Sequence, residues 1–191
     1  MATPAPTTTI PFADWHIPLS DGTMTLRQAA ALLAKVGAMP DDIPLMVRLA
    51  ENPQFDLFTG AVDLKTHDYI HPLLGRGLLA KDEAFVVGFT MGSTHQLGAA
   101  EERLFTLVAQ HLYPGIYRFS EEDVRVFRDA VRLAFVSDCR ALNKIDYQPY
   151  LDHSLEDIRR SLGIEADLLR AYYAIERRRY PRSPESHRLL D

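Results

Sequence analysis

Four side chains in one short stretch carry the donor set of a divalent metal: His67, Asp68, His71 and Glu83. His67 and His71 are four residues apart, so on a helix both imidazoles face the same side. Asp68 places a hard oxygen donor beside the first histidine, and Glu83 follows the second histidine by twelve residues. Two imidazoles and two carboxylates suit zinc, iron or manganese. Cys139 is the only cysteine, which rules out an internal disulfide and thiolate ligation and leaves N and O donors. With zinc and all four side chains bound, the shell is full and the site is structural. With one carboxylate held back, or with iron or manganese, a position stays open for water or substrate. Plainer roles exist for each residue. The histidines can be a satisfied pair on a half-buried face, Asp68 can orient a ligating imidazole, and Glu83 can complement a helix N-terminus. The spacing of the complete set favours metal.

Such a site needs two helices and a turn. The motif helix is expected to start near Asp56 or Asp63 and to reach Leu74. Pro72 cannot donate to the Asp68 carbonyl and restricts His71, so a kink or an end is expected there. Gly75 and Gly77 supply the turn, and the next helix should run over 82–95. Upstream, Thr25 reads as the N-cap of a helix carrying Leu26, Ala29, Ala30, Leu32 and Leu33 and stopping near Gly37. A second helix is expected over 40–49, ended by Asn52-Pro53. Downstream come an amphipathic stretch over 101–113, a break at Pro114-Gly115, and a capping-box pattern from Ser120 to Asp123. That box opens the longest helix, with Val124, Phe127, Val131, Leu133, Ala134, Phe135 and Cys139 on its apolar face and an end near Leu142. Helices over 151–162 and 166–178 complete the chain. Neither sustained period-two alternation nor a repeat is present. The expected architecture is all-α: a single compact multi-helix bundle over 25–176, after a flexible segment (1–24) and before a basic C-terminal tail (177–191).

Composition narrows the function classes. The 191 residues, 47% of them hydrophobic, suffice for one well-filled core. A net charge of −5 opposes nucleic-acid binding, which calls for a basic surface. Residues 1–9 lack the apolar core of a secretory signal and the arginines of a transit peptide, so the bacterial cytoplasm is the expected location. The longest apolar run, 84–92, is about half of the ~20 residues a membrane span requires.

With His67-Asp68-Tyr69-Ile70-His71, Leu73-Leu74-Gly75 and Glu83 in view, the chain resembles the family of coenzyme Q (ubiquinone) biosynthesis protein four. The hallmark of that family is HDxxH, a Leu-Leu-Gly-like turn, and a Glu after eleven intervening residues. A looser similarity covers Tyr147 to Ile164 (Tyr-Gln-Pro-Tyr-Leu-Asp-His-Ser-Leu-Glu-Asp-Ile-Arg-Arg-Ser-Leu-Gly-Ile), which resembles the family's closing aromatic–Leu–Arg–Leu-Gly-Ile segment. The likeness extends over about 40–164. Asp82 stands where the family usually has Gly, adding a rival ligand, and Pro72 stiffens the position after His71. Both departures fit a divergent bacterial paralogue with another prenyl-lipid substrate. The resemblance implies a helical lipid-binding protein whose catalytic and metal-binding residues are His67, Asp68, His71 and Glu83, with zinc expected first and iron or manganese as alternatives. It implies oxidative decarboxylation of a polyprenylated hydroxybenzoate or benzoquinone precursor, an apolar cavity for the isoprenoid tail, or a role organising other ubiquinone-pathway enzymes. Peripheral contact with the inner face of the cytoplasmic membrane and a homodimer follow as expectations. Two other classes stand beside it: a non-catalytic lipid carrier or scaffold, and an HD-type metal-dependent hydrolase, for which the further separated His and Asp ligands have no clear counterparts.

The remaining features have bland readings beside sharper ones. Gly88-Phe89-Thr90-Met91-Gly92 suits tight helix packing more than contact with a lipid. His95 and His111 lie outside the motif and read as structural, with His95 a candidate partner of a ligand. Phe85, Val86, Phe89, Met91, Phe127 and Phe135 read as core, and would equally line a prenyl tunnel. Arg177, Arg178, Arg179, Arg182 and Arg188 suit a solvated tail or anionic headgroups.

Overall fold

Apolar residues recur at helical spacing, and the chain folds accordingly. The computed structural model describes residues 9–37, 59–111 and 118–190. Its helices are α1 (Leu26–Leu33), α2 (Leu64–Leu74), α3 (Ala80–Gly92), α4 (Ala99–His111), α5 (Glu121–Val136), α6 (Leu155–Leu162), α7 (Ala166–Arg179) and α8 (Pro184–His187), joined in part by short 3-10 turns. No strand occurs among the described residues, and the fold is an all-α bundle.

Side-chain caps set the helix starts. The Thr25 hydroxyl accepts from the Gln28 amide while the Gln28 side chain accepts from the Thr25 amide. Asp63 accepts from the Thr66 amide at 3.0 Å, and Ser120 and Asp123 form the expected reciprocal pair. Each such cap stabilises its helix by about 1 kcal/mol. Ser154 caps α6, so this helix starts four residues later than the apolar pattern suggested.

The most extensive helix pair is α3 on α5. Gly88 and Gly92 make it possible, since a Cβ at either would run into the Phe127 or Val131 carbonyl. The small-residue pattern is therefore a packing device. The main core joins Phe85 and Phe89 of α3 to Ile70, Leu73 and Leu74 of α2 and to Tyr172 and Tyr173 of α7. A smaller cluster lies beneath α4, where Phe105 stacks on Phe127 at 4.8 Å.

Several expectations change. Residues 9–24 are not loose: Trp15, Ile17 and Leu19 alternate inward with exposures of 2%, 2% and 3%. The C-terminal segment also belongs to the fold through residue 190. Tyr180, Ser186 and Leu189 are buried, Arg179 pairs with Asp129 at 2.6 Å, and Arg188 reaches back to Asp82 and the Ala13 carbonyl. Among the described residues, Arg177, Arg178 and Arg182 of the basic run are exposed and have no such ion pair. Phe135 lies one residue past the inward stripe of Val124, Phe127, Val131 and Ala134, so it emerges 53% exposed against the ring of His95. The long helix ends at Val136, and Leu142 sits in a separate 3-10 turn. The expected helix over 40–49 and the break at Pro114-Gly115 lie outside the described residues.

Candidate metal centre

His67 and His71 occupy successive turns of α2 and point together into the bundle. Their side chains are 7% and 0% exposed. Glu83, in the first turn of α3, closes on them across the 75–79 turn and keeps 20% of its side chain exposed. Helix α2 does not stop at Pro72; it runs on to Leu74 and ends at Gly75, in the left-handed conformation at φ 67°. Glycine takes that conformation without steric cost, and the tight reversal brings the two ligand-bearing helices together.

The donor atoms converge. His67 Nε2 lies 2.9 Å from Glu83 Oε2 and 2.9 Å from His71 Nε2, and His71 Nε2 lies 3.4 Å from Glu83 Oε1. His71 Nδ1 lies 2.7 Å from the Gly77 carbonyl. A carbonyl only accepts, so Nδ1 carries the proton, and neutral His71 turns the lone pair of Nε2 toward His67 Nε2, which can donate to it. Burial pushes the His71 ring down to about 4 against the pull of the Glu83 charge, which keeps it neutral and ready to ligate. Burial acts to raise Glu83, but the neighbouring His71 and His67 outweigh it and hold this carboxyl below its ordinary value. Donors at about 2.0–2.2 Å from a tetrahedral ion stand roughly 3.3 Å apart. The three separations here match that spacing after a small expansion, and their chemistry is two imidazoles and one carboxylate. The residues fit a zinc-, iron- or manganese-sized ion.

Among the described residues this is the only group of three or more histidine, cysteine or acidic side chains converging closely enough for a metal, and Asp68 is not part of it. Asp68 is half-buried on the same helix. Burial raises its carboxyl to about 6, Glu83 and Asp63 add to the rise, and His67 opposes it. It forms one wall of an apolar groove of about 430 Å³ between α1 and α2, with Leu33, Val36, Leu64 and Tyr69 as apolar walls and Lys65 as the other charged group. None of His67, His71 and Glu83 lines this groove, so it does not open beside the cluster as the expected cavity would. Asp82, the expected rival, faces away, holding Arg188 and the Leu79 amide with one oxygen and lying 3.8 Å from Arg76 with the other. His95, exposed at the far end of α3, and His111, exposed at the end of α4, take no part.

Comparison with family models, with curated proteins and with solved structures finds no match for this chain.

Sequence reasoning missed the support behind the ligands. Arg76, in the turn between the ligand helices, is fully buried and doubly paired with Glu176 of α7 at 3.0 and 2.5 Å. Its guanidinium lies 3.9 Å from the Phe85 ring centre and 4.4 Å from that of Tyr173. Ser186 completes the cluster by donating to Glu176 at 2.9 Å. The signal was present: Leu169, Tyr172, Tyr173 and Glu176 form one inward stripe of α7, and an acid at its end requires a buried cation. Arg159 occupies the same kind of position in the stripe of Leu155, Ile158 and Leu162.

Proposed function

We propose that this chain binds one divalent transition-metal ion through His67, His71 and Glu83 and acts on the polar head of a prenylated hydroxybenzoate: the ring–carboxyl bond breaks and carbon dioxide leaves, water supplies the hydroxyl that takes its place, and dioxygen accepts the two electrons and two protons as hydrogen peroxide. The observation that carries the metal part is the convergence of His67, His71 and Glu83, with His71 held in the ligating tautomer by the Gly77 carbonyl. An ion bound there supplies Lewis acidity toward a neighbouring carboxylate and phenol and, as iron or manganese, a path for electrons leaving the ring. Glu83, the most exposed of the three, marks the side from which a head group approaches. Asp68, on the groove wall and next in sequence to His67, carries a carboxyl that can hold or accept a proton of that head group. The prenyl part rests on the resemblance of the HDxxH…E motif, and the groove falls within the roughly 300–1,000 Å³ of small-ligand sites. Membrane contact in this reading is peripheral, since no described helix is long and apolar enough to cross a bilayer.

A carrier would use the same groove without chemistry. The deciding experiment incubates purified protein, loaded in turn with zinc, iron or manganese, with a prenylated hydroxybenzoate labelled with ¹³C at the carboxyl. Labelled carbon dioxide that depends on both metal and His67 supports the enzyme. Bound substrate with no release moves the reading to a carrier or scaffold, and phosphate release from nucleotides would point to a hydrolase.

A further inference from the structure

The last turn of α2 carries His71, and its carbonyls find their partners far away in the chain. The His71 carbonyl accepts from the Arg76 amide at 3.0 Å, and that of Pro72 from the Gly75 amide at 3.3 Å. Arg159 of α6 then donates from one η nitrogen to Pro72 at 2.9 Å, from Nε to Leu73 at 2.9 Å, and from the other η nitrogen to Leu19 at 3.0 Å. The Tyr173 hydroxyl of α7 donates to Leu74 at 2.5 Å. Every orphan carbonyl of this helix end is thus satisfied.

Capping alone does not account for a guanidinium here. Arg159 is only 3% exposed, and all of its hydrogen bonds among the described residues go to neutral carbonyls. Glu156 and Asp21 attract this guanidinium but neither bonds to it; a buried cation with no carboxylate in direct contact is costly, and a neutral donor would satisfy one carbonyl more cheaply. A planar fork gains the simultaneous fixing of three acceptors on two segments. The location explains the need. Pro72 has no amide hydrogen for the Asp68 carbonyl, so the turn just after His71 lacks one of its own rungs. The His71 ring is meanwhile held at Nδ1 by Gly77, in the turn that follows. Resting on the metal reading above, we propose that Arg159 is a positioning residue for the metal centre: with Tyr173, it fixes the backbone beneath His71 so that Nε2 stays aimed at the ion.

Cobalt(II) is the probe, because its visible ligand-field bands report ligand geometry and its titration gives an affinity. Arg159→Lys keeps the charge but loses the fork. Tyr173→Phe keeps the ring packed on Arg76 and removes the hydroxyl, with its bond to Leu74 and its interaction with the Arg76 guanidinium. Leu155→Ala is the control for general destabilisation, being fully buried on the same helix and making none of these side-chain contacts. Both positioning variants should bind cobalt at least about tenfold more weakly, the lower end for loss of support around a ligand, with shifted bands. Leu155→Ala, at an equal or larger loss of thermal stability, should keep the wild-type bands and affinity. Wild-type binding by Arg159→Lys and Tyr173→Phe, or an equal shift in Leu155→Ala, overturns this proposal alone. Failure of the wild-type protein to take up cobalt removes the metal reading, and the proposal with it.

Discussion

At the scale of single residues, the protonation of His71 is the most informative quantity. Its Nδ1 proton is committed to Gly77, and burial lowers the ring from the ordinary 6.5 to about 4. In metal-free protein, the His71 ring signals followed by NMR should therefore titrate near pH 4; a midpoint between 6 and 7 would refute the burial account. The sign for stability follows. An unfolded histidine takes up its proton near 6.5 and the folded one only near 4, so this contribution is complete above pH 6.5 and is lost as pH falls toward 4. Cys139 behaves as a core residue: burial pushes its thiol up to about 12, so a thiol reagent at pH 8 should label it only on unfolding. Fast labelling of native protein would contradict its placement. Glu176→Gln leaves Arg76 buried with half its compensation gone, at a cost of about 3–5 kcal/mol, measurable by urea unfolding.

The helices show which features a sequence discloses and which it hides. Caps were legible at Thr25 and Ser120 because a single hydroxyl and its partner three residues on decide them locally. The pairing of His67 with His71 was legible for the same reason, being one turn of one helix. The fate of Pro72 was not, because the helix survives it through groups contributed by Arg159 and Tyr173, 86 or more positions away. Asp68 and Asp82 were both possible ligands in sequence, and their surroundings separate them: Asp68 lines the groove beside α1, and Asp82 pairs with Arg188 from the far end of the chain. At the α3–α5 interface, Gly92→Val should cost about 3 kcal/mol or more, the upper range for overpacking, because the obstacle is the Val131 backbone rather than a movable side chain. A melting temperature unchanged from wild type would show that these helices do not approach as described.

Across the whole molecule, the described terminal segments, from Trp15 and from Arg188, close on the centre. Trp15 packs edge-on against His71 at 6.3 Å between ring centres, and Arg188 bridges the Ala13 carbonyl to Asp82, the residue beside Glu83. This closure was hidden because Trp15, Ile17 and Leu19 alternate too briefly to declare a structure, and a run of arginines reads as solvated until a buried acid claims one of them. A chain ended after Ile175 would lose Glu176, Tyr180 and Leu189 together, so it should lose cooperative unfolding; a sharp wild-type-like melt would show the C-terminal segment to be dispensable. The proposed chemistry depends in the end on an ion at His67, His71 and Glu83. The most direct measurement is elemental analysis of the purified protein beside the His67→Ala/His71→Ala double variant, with circular dichroism to confirm that both are folded. One equivalent of zinc, iron or manganese per wild-type chain, with none above background in the variant, is the expected result. Equal metal content in two folded proteins, or none in either after incubation with each ion, would contradict the account.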